Sequence, residues 1–189
     1  MMKYVAILLA FAVTACASTP KSNQMDSMIG PIRKPTDFRR TTLIVADAER
    51  SLKLYRDILG FEPNYDKVLS MSGVALPAGE PGAKARLLLL EGNDPWVGWI
   101  GMLEWVDPPL DPRADVPTRL GIGDVVLLFN TTKVDERCAK IKKLEGVRFT
   151  AEPRTVTYPG RNGGPDIKVR GCNFFDADGY LVELNQILE

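Results

Sequence analysis

The chain has 189 residues, with 24 Lys and Arg balanced by 24 Asp and Glu, and no histidine. A formal charge of zero argues against nucleic acid as a partner, since such proteins carry basic patches that neutralise phosphates. The missing histidine removes the commonest neutral metal ligand and the commonest general base.

Residues 1–15, M-M-K-Y-V-A-I-L-L-A-F-A-V-T-A, place one lysine before an apolar run too short to span a bilayer, the pattern of a secretory signal. Val13-Thr14-Ala15-Cys16 then resembles the bacterial lipobox, whose cysteine is lipidated and becomes the new N-terminus. The resemblance implies an envelope protein held to the membrane through a lipid on Cys16. Ala17, where an aspartate would retain the protein at the inner membrane, implies the periplasmic face of the outer membrane if the source is Gram-negative. Residues 16–36 are polar and interrupted by three prolines, and read as a flexible tether. Roughly 150 residues remain, enough for one core or for two small modules that share one.

A first module is expected over residues 37–107. A β-branched run at 41–45 predicts a strand, and Asp47 is placed to cap a helix through the amides of its first turn. Ala48, Leu52, Tyr55 and Leu59 follow at helical spacing, and Gly60 ends the run. Strand-like runs are expected at 67–74, 86–90 and 100–106, with the glycine-rich 76–84 as a turn. Residues 107–118, D-P-P-L-D-P-R-A-D-V-P-T, hold four prolines, so 108–118 reads as a linker. The pattern then repeats over 119–189. V-V-L-L-F-N is a strand, Val134, Cys138, Ile141 and Leu144 form a second stripe, Gly146 closes it, and strands are expected at 147–151, 168–175 and 180–186. Such units leave one sheet face bare, so the fold class is α+β: two tandem βαβββ modules forming a shared curved sheet or half-open barrel. An oxidising exterior would permit a Cys138–Cys172 bridge, but the placement of both on apolar positions reads as two buried free thiols.

Two segments, T-T-L-I-V-A-D-A-E-R-S-L-K-L-Y-R-D-I-L-G-F near the start and F-F-D-A-D-G-Y-L-V-E-L at the end, resemble the vicinal oxygen chelate superfamily, which includes lactoylglutathione lyase, extradiol dioxygenases and bleomycin-resistance proteins. Metal-binding members place a ligand at the start of the first strand of each module and another in its last strand. The resemblance puts Arg40, Glu104, Asp124 and Glu183 in those positions. Arg40 departs from the pattern, because a guanidinium has no lone pair to give a cation. Two arrangements remain open. Glu104, Asp124 and Glu183 with water would suit Mg²⁺, Mn²⁺ or Ca²⁺; alternatively Arg40 replaces the metal and pairs with Glu183 and Glu104, leaving no cofactor. Trp96, Trp99 and Trp105 are expected around Glu104, Trp99 and Trp105 as ligand contacts, with residues 158–166 as a glycine-rich cover.

These positions imply a protein that binds a small oxygenated molecule between the modules through Arg40, Asp124, Trp99 and Trp105, with its metal site degenerate. The first alternative is a metal-dependent lyase, isomerase or oxygenase in which Glu183 or Glu104 moves a proton. The second is a structural or interaction domain whose cavity is filled by its own side chains. A homodimer is compatible with either, because such modules pair within or between chains.

Overall fold

The computed structural model describes residues 36–188; the signal segment 1–15, most of the tether 16–36 and the lipidation position Cys16 lie outside the described residues. The described chain forms one compact unit. Its first module runs β1 (Arg40–Ile44), α1 (Ala48–Leu52) continuing as a π-helical segment (Lys53–Ile58), β2 (Glu62–Ser70), β3 (Lys84–Glu91) and β4 (Trp99–Asp107). The second runs β5 (Val126–Asn130), α2 (Val134–Ile141), β6 (Arg148–Tyr158), β7 (Ile167–Phe175) and β8 (Leu181–Leu188), with a 3₁₀ turn at Arg161–Gly163.

The two modules have the same topology. Their sheets are ordered β1-β4-β3-β2 and β5-β8-β7-β6. In each, the first strand lies parallel to the last and the other pairings are antiparallel. The tandem βαβββ fold is therefore present, as two separate four-stranded sheets that do not close into a barrel.

Period-two alternation decides which residues face the helices. Leu43, Met102, Leu127, Val182 and Leu184 turn toward them and are at most 5 % exposed. They join Leu52, Tyr55, Val134 and Ile141 from the helix stripes in one core that spans both modules. Phe129 of β5 makes edge contacts with Tyr55 and Phe61, 6.2 and 5.5 Å between ring centres, which ties the second sheet to the first helix. The opposite face of each sheet is its open face. On sheet one the open face is partly covered: Ala83, Ala85, Leu103 and Trp105 form a second, smaller core.

Local signals explain the helix ends. Asp47 Oδ1 accepts the Arg50 amide at 2.9 Å, and Gly60 and Gly146 take positive φ of 85° and 79°, a left-handed turn that needs no Cβ. Three expectations are corrected. The strand expected at 67–74 lies at Glu62–Ser70, and the one expected at 147–151 extends to Tyr158. Both are outer strands with little burial, so apolar content marks them poorly. Cys138 and Cys172 are not free thiols: they form a disulfide, with Cα atoms 6.6 Å apart. The reason is that the apolar stripe of α2 packs on the helix-facing side of β7, so both cysteines reach the same point of the core.

Candidate functional site: the seam between the modules

The F-F-D-A-D-G-Y turn between β7 and β8 clasps the first module. Asp176 Oδ1 accepts the amides of Asp178 and Tyr180 at 3.0 and 2.8 Å, while Oδ2 accepts the Tyr55 hydroxyl at 2.8 Å. Asp178 Oδ1 accepts the Ala46 amide and Arg50 Nη2 at 3.0 and 2.7 Å, and Oδ2 accepts the Ser51 hydroxyl at 3.2 Å. Tyr180 closes the free edge of β1: its hydroxyl donates to the Ile44 carbonyl and accepts the Ile44 amide. Burial pushes the Asp176 carboxyl above the usual range, outweighing the amide and hydroxyl donors, and burial beside Asp176 drives the Tyr55 phenol well upward. Part of what looks like a family signature is thus the joint between modules.

The four expected site residues are not brought together. Glu104 lies on the same face of β4 as Met102, toward the helices, and its carboxylate sits against the Ala48 amide at the start of α1. Burial raises its pKa, against the pull of that amide. Glu183 points away from the helices and accepts the Asn173 side-chain amide at 3.1 Å. Asp124 precedes β5 and closes its own turn, Oδ2 accepting the Gly121 amide at 2.7 Å. Arg40 stands exposed on the open face of β1, and no ion pair joins it to Glu183 or Glu104 among the described residues.

The repeat register shows why. Aligning the helix caps Asp47 and Lys133 matches Arg40 with Val126, two residues beyond Asp124. The strand pairing matches Thr42 opposite Gly101 with Leu128 opposite Glu183, and it matches Glu104 with Gln186. Gln186 Oε1 accepts the Val134 amide at the start of α2, the same helix-end role as Glu104. The equivalent inward positions are therefore Arg40, Gly101, Val126 and Glu183, which offer one carboxylate and no other ligand. Among the described residues no three His, Cys, Asp or Glu side chains group to hold an ion. A divalent metal does not fit this donor set.

The tryptophans do not ring Glu104 either. Trp99 Nε1 donates to the Asp94 carbonyl at 2.9 Å, and Arg39 stacks 3.4 Å over the Trp96 ring. Trp105 faces the open side, buried in the smaller core, and its Nε1 finds no hydrogen-bond partner among the described residues.

Two large cavities lie along the seam. One, of about 720 Å³, is roofed by the linker at Pro109–Arg113 and walled by Ile44, Trp105, Leu120, Tyr180 and Leu181, with Asp124 at its edge. Of the residues singled out from the sequence, Trp105 and Asp124 line it. The second, of about 850 Å³, lies between the 92–98 loop and the end of β5. Sequence reasoning missed the wall supplied by the linker, because proline-rich composition signals a connection without saying what it crosses.

Comparison with known proteins matches residues 38–184 to the Glyoxalase/Bleomycin resistance protein/Dioxygenase superfamily. Among solved structures, a glyoxalase family protein from Bacillus cereus superposes with a TM-score of 0.65 at 13 % identity, covering 84 % of this chain and 99 % of that one. The antibiotic binding protein TnmS3 from Streptomyces sp. CB03234 is 21 % identical over 80 % of this chain and 95 % of its own, with a TM-score of 0.46. The fosfomycin resistance protein FosX from Listeria monocytogenes, complexed with Mn(II) and sulfate, is 20 % identical over 81 % and 93 %, with a TM-score of 0.43. No curated protein matches the chain. A match over most of the chain, on the fold just described, means that this protein belongs to the Glyoxalase/Bleomycin resistance protein/Dioxygenase superfamily.

Proposed function

We propose that the protein is a small-molecule binder, anchored in the bacterial envelope through Cys16, that holds a largely apolar, oxygenated ligand in the linker-roofed cavity. The observation behind this reading is the cavity itself, about 720 Å³ and walled mainly by Ile44, Trp105, Leu110, Leu120, Tyr180 and Leu181. That size and lining suit a molecule of drug-like dimensions, with the hydrophobic wall supplying affinity and a few polar groups orientation. Asp124 and Arg113 at the edge offer the oxygen-recognising contacts. Binding is favoured over turnover by the state of the carboxylates. Of the carboxylates that line the cavity, Asp178 accepts three bonds in the clasp and Asp124 closes its own turn, which leaves Asp111 of the linker to meet a ligand, while Glu104 serves a helix end outside the lining. Arg40 and Glu183 stand on the open faces, outside the lining of this cavity.

The test is thermal unfolding of the full chain against a panel of aromatic and aliphatic alcohols, ketones and carboxylic acids, each with and without Mg²⁺, Mn²⁺ or Ca²⁺. A true ligand at a hundred times its Kd adds about 2.7 kcal/mol. Leu120→Arg, at a position 48 % exposed and therefore tolerant, is expected to abolish that stabilisation by filling the cavity. Stabilisation unchanged in this variant would place the ligand elsewhere, and stabilisation only with a metal present would restore the metal-dependent enzyme. Anchoring is checked separately: Cys16→Ala is expected to move the protein from the membrane fraction to the soluble one.

A further inference from the structure

The two seam cavities occupy the same place in the two modules. The three residues before each helix cap line them, Ile44-Val45-Ala46 in the linker cavity and Asn130-Thr131-Thr132 in the other. Trp105 in the first corresponds to Ile187 in the second through the strand register. The three residues before the helix cap are thus apolar in one copy and polar in the other. Backbone geometry does not require the difference, because the first and last strands pair in the same register in both copies.

We propose that the second cavity is a distinct binding site for an uncharged, hydroxyl-rich molecule of mono- or disaccharide size. Its walls offer donors and acceptors together. Asn93 and Asn130 are exposed and make no side-chain hydrogen bond among the described residues. Asp94 uses Oδ1 for the Trp96 and Val97 amides, at 2.8 and 2.9 Å, which leaves Oδ2 toward solvent. Gln186 spends Oε1 on the Val134 amide and keeps both protons of its side-chain amide. A hydroxyl group is donor and acceptor at once and matches such a mixed wall, whereas an ion needs one sign of charge. The charges here are one of each sign: Asp94 against Arg137, whose Nη1 is already tied to the Leu59 carbonyl at 2.7 Å. Leu128, Phe61 and Ile187 add the apolar surface that the C–H face of a sugar ring packs against. A volume of about 850 Å³ admits one or two rings.

This site is independent of the linker cavity, so the two readings stand or fall separately. The full chain, ¹⁵N-labelled, is titrated with glucose, N-acetylglucosamine, maltose and trehalose, with glycine betaine and phosphate as zwitterionic and anionic controls. At least one saccharide is expected to shift the amides of residues 92–98 and 130–137 while leaving the Trp105 indole unmoved. Asn93→Ala and Asn130→Ala, both at exposed positions, are each expected to weaken it at least fivefold without lowering the unfolding temperature. Shifts produced only by the controls, no shifts at 20 mM of any saccharide, or affinity unchanged in both variants would each overturn the proposal.

Discussion

The two modules are copies that solve the same packing problem with different chemistry. Each last strand sends a polar side chain to the first amide of its own helix, Glu104 in the first module and Gln186 in the second. Each third strand ties an arginine to the helix: Arg86 reaches Glu49 at 2.9 Å and Asp66 at 2.7 Å, and Arg170 reaches Asp135 at 2.6 Å. The helix-to-sheet contact made by Leu52 and Leu88 in the first copy is made by Cys138 and Cys172 in the second, where a covalent bond replaces apolar contact. The lesson is that positions are kept by geometry, and chemistry at those positions varies with what each copy must do.

Breaking the disulfide tests that difference most strongly. Cys138→Ala with Cys172→Ala removes a link across a separation of 34 residues, worth about 4 kcal/mol by loop-closure entropy, and is expected to lower urea-unfolding stability by that order. Leu52→Ala in the first module, at 2 % exposure, is expected to cost about 3 kcal/mol through lost contact and a residual cavity. If the two changes proved equal in small effect, the second copy's bridge would be dispensable. Third in size, Tyr55→Phe leaves Asp176 Oδ2 without its hydroxyl donor in a buried joint, with an expected loss of about 1–2 kcal/mol by the same measurement.

Smaller effects sharpen the comparison. Arg170→Gln should have only a small effect on urea-unfolding stability, and none in 1 M salt, because Asp135 is an exposed partner. Finally, Glu104→Gln gives the first module the uncharged partner that the second already has. Burial holds the Glu104 pKa above its ordinary value, so its contribution is full below the usual glutamate range and declines as pH rises through the raised pKa. The variant, unable to ionise, is expected to match wild type at low pH, to exceed it slightly at neutral pH, and so to show a flatter stability–pH curve at this site. A variant less stable than wild type at neutral pH would mean that the carboxylate's attraction to the helix amides outweighs its desolvation.

Much of the fold was legible because it rests on short-range patterns. Ala48, Leu52, Tyr55 and Leu59 all lie buried as their spacing required, and the strand, helix, three-strand order recurs in both copies. The site was far less legible. Glu104 reads as a ligand in a linear match, yet a shift in strand parity turns it toward the helices, since neighbouring side chains in a strand point to opposite faces. Asp124 misses its place by two residues for want of a visible strand start. The cysteines showed their burial but not their partner, because proximity across 34 residues is a tertiary fact.

By itself the chain's order of residues determined the duplication, the helix stripes and their glycine ends, all of which follow from local periodicity and backbone sterics. Tertiary structure alone decided that the D-A-D-G-Y turn clasps the other module, that the linker roofs a cavity, and that residues 44–46 and 130–132 line the two cavities of the seam. Those outcomes depend on which faces meet in space, and a one-residue change in strand register reverses them.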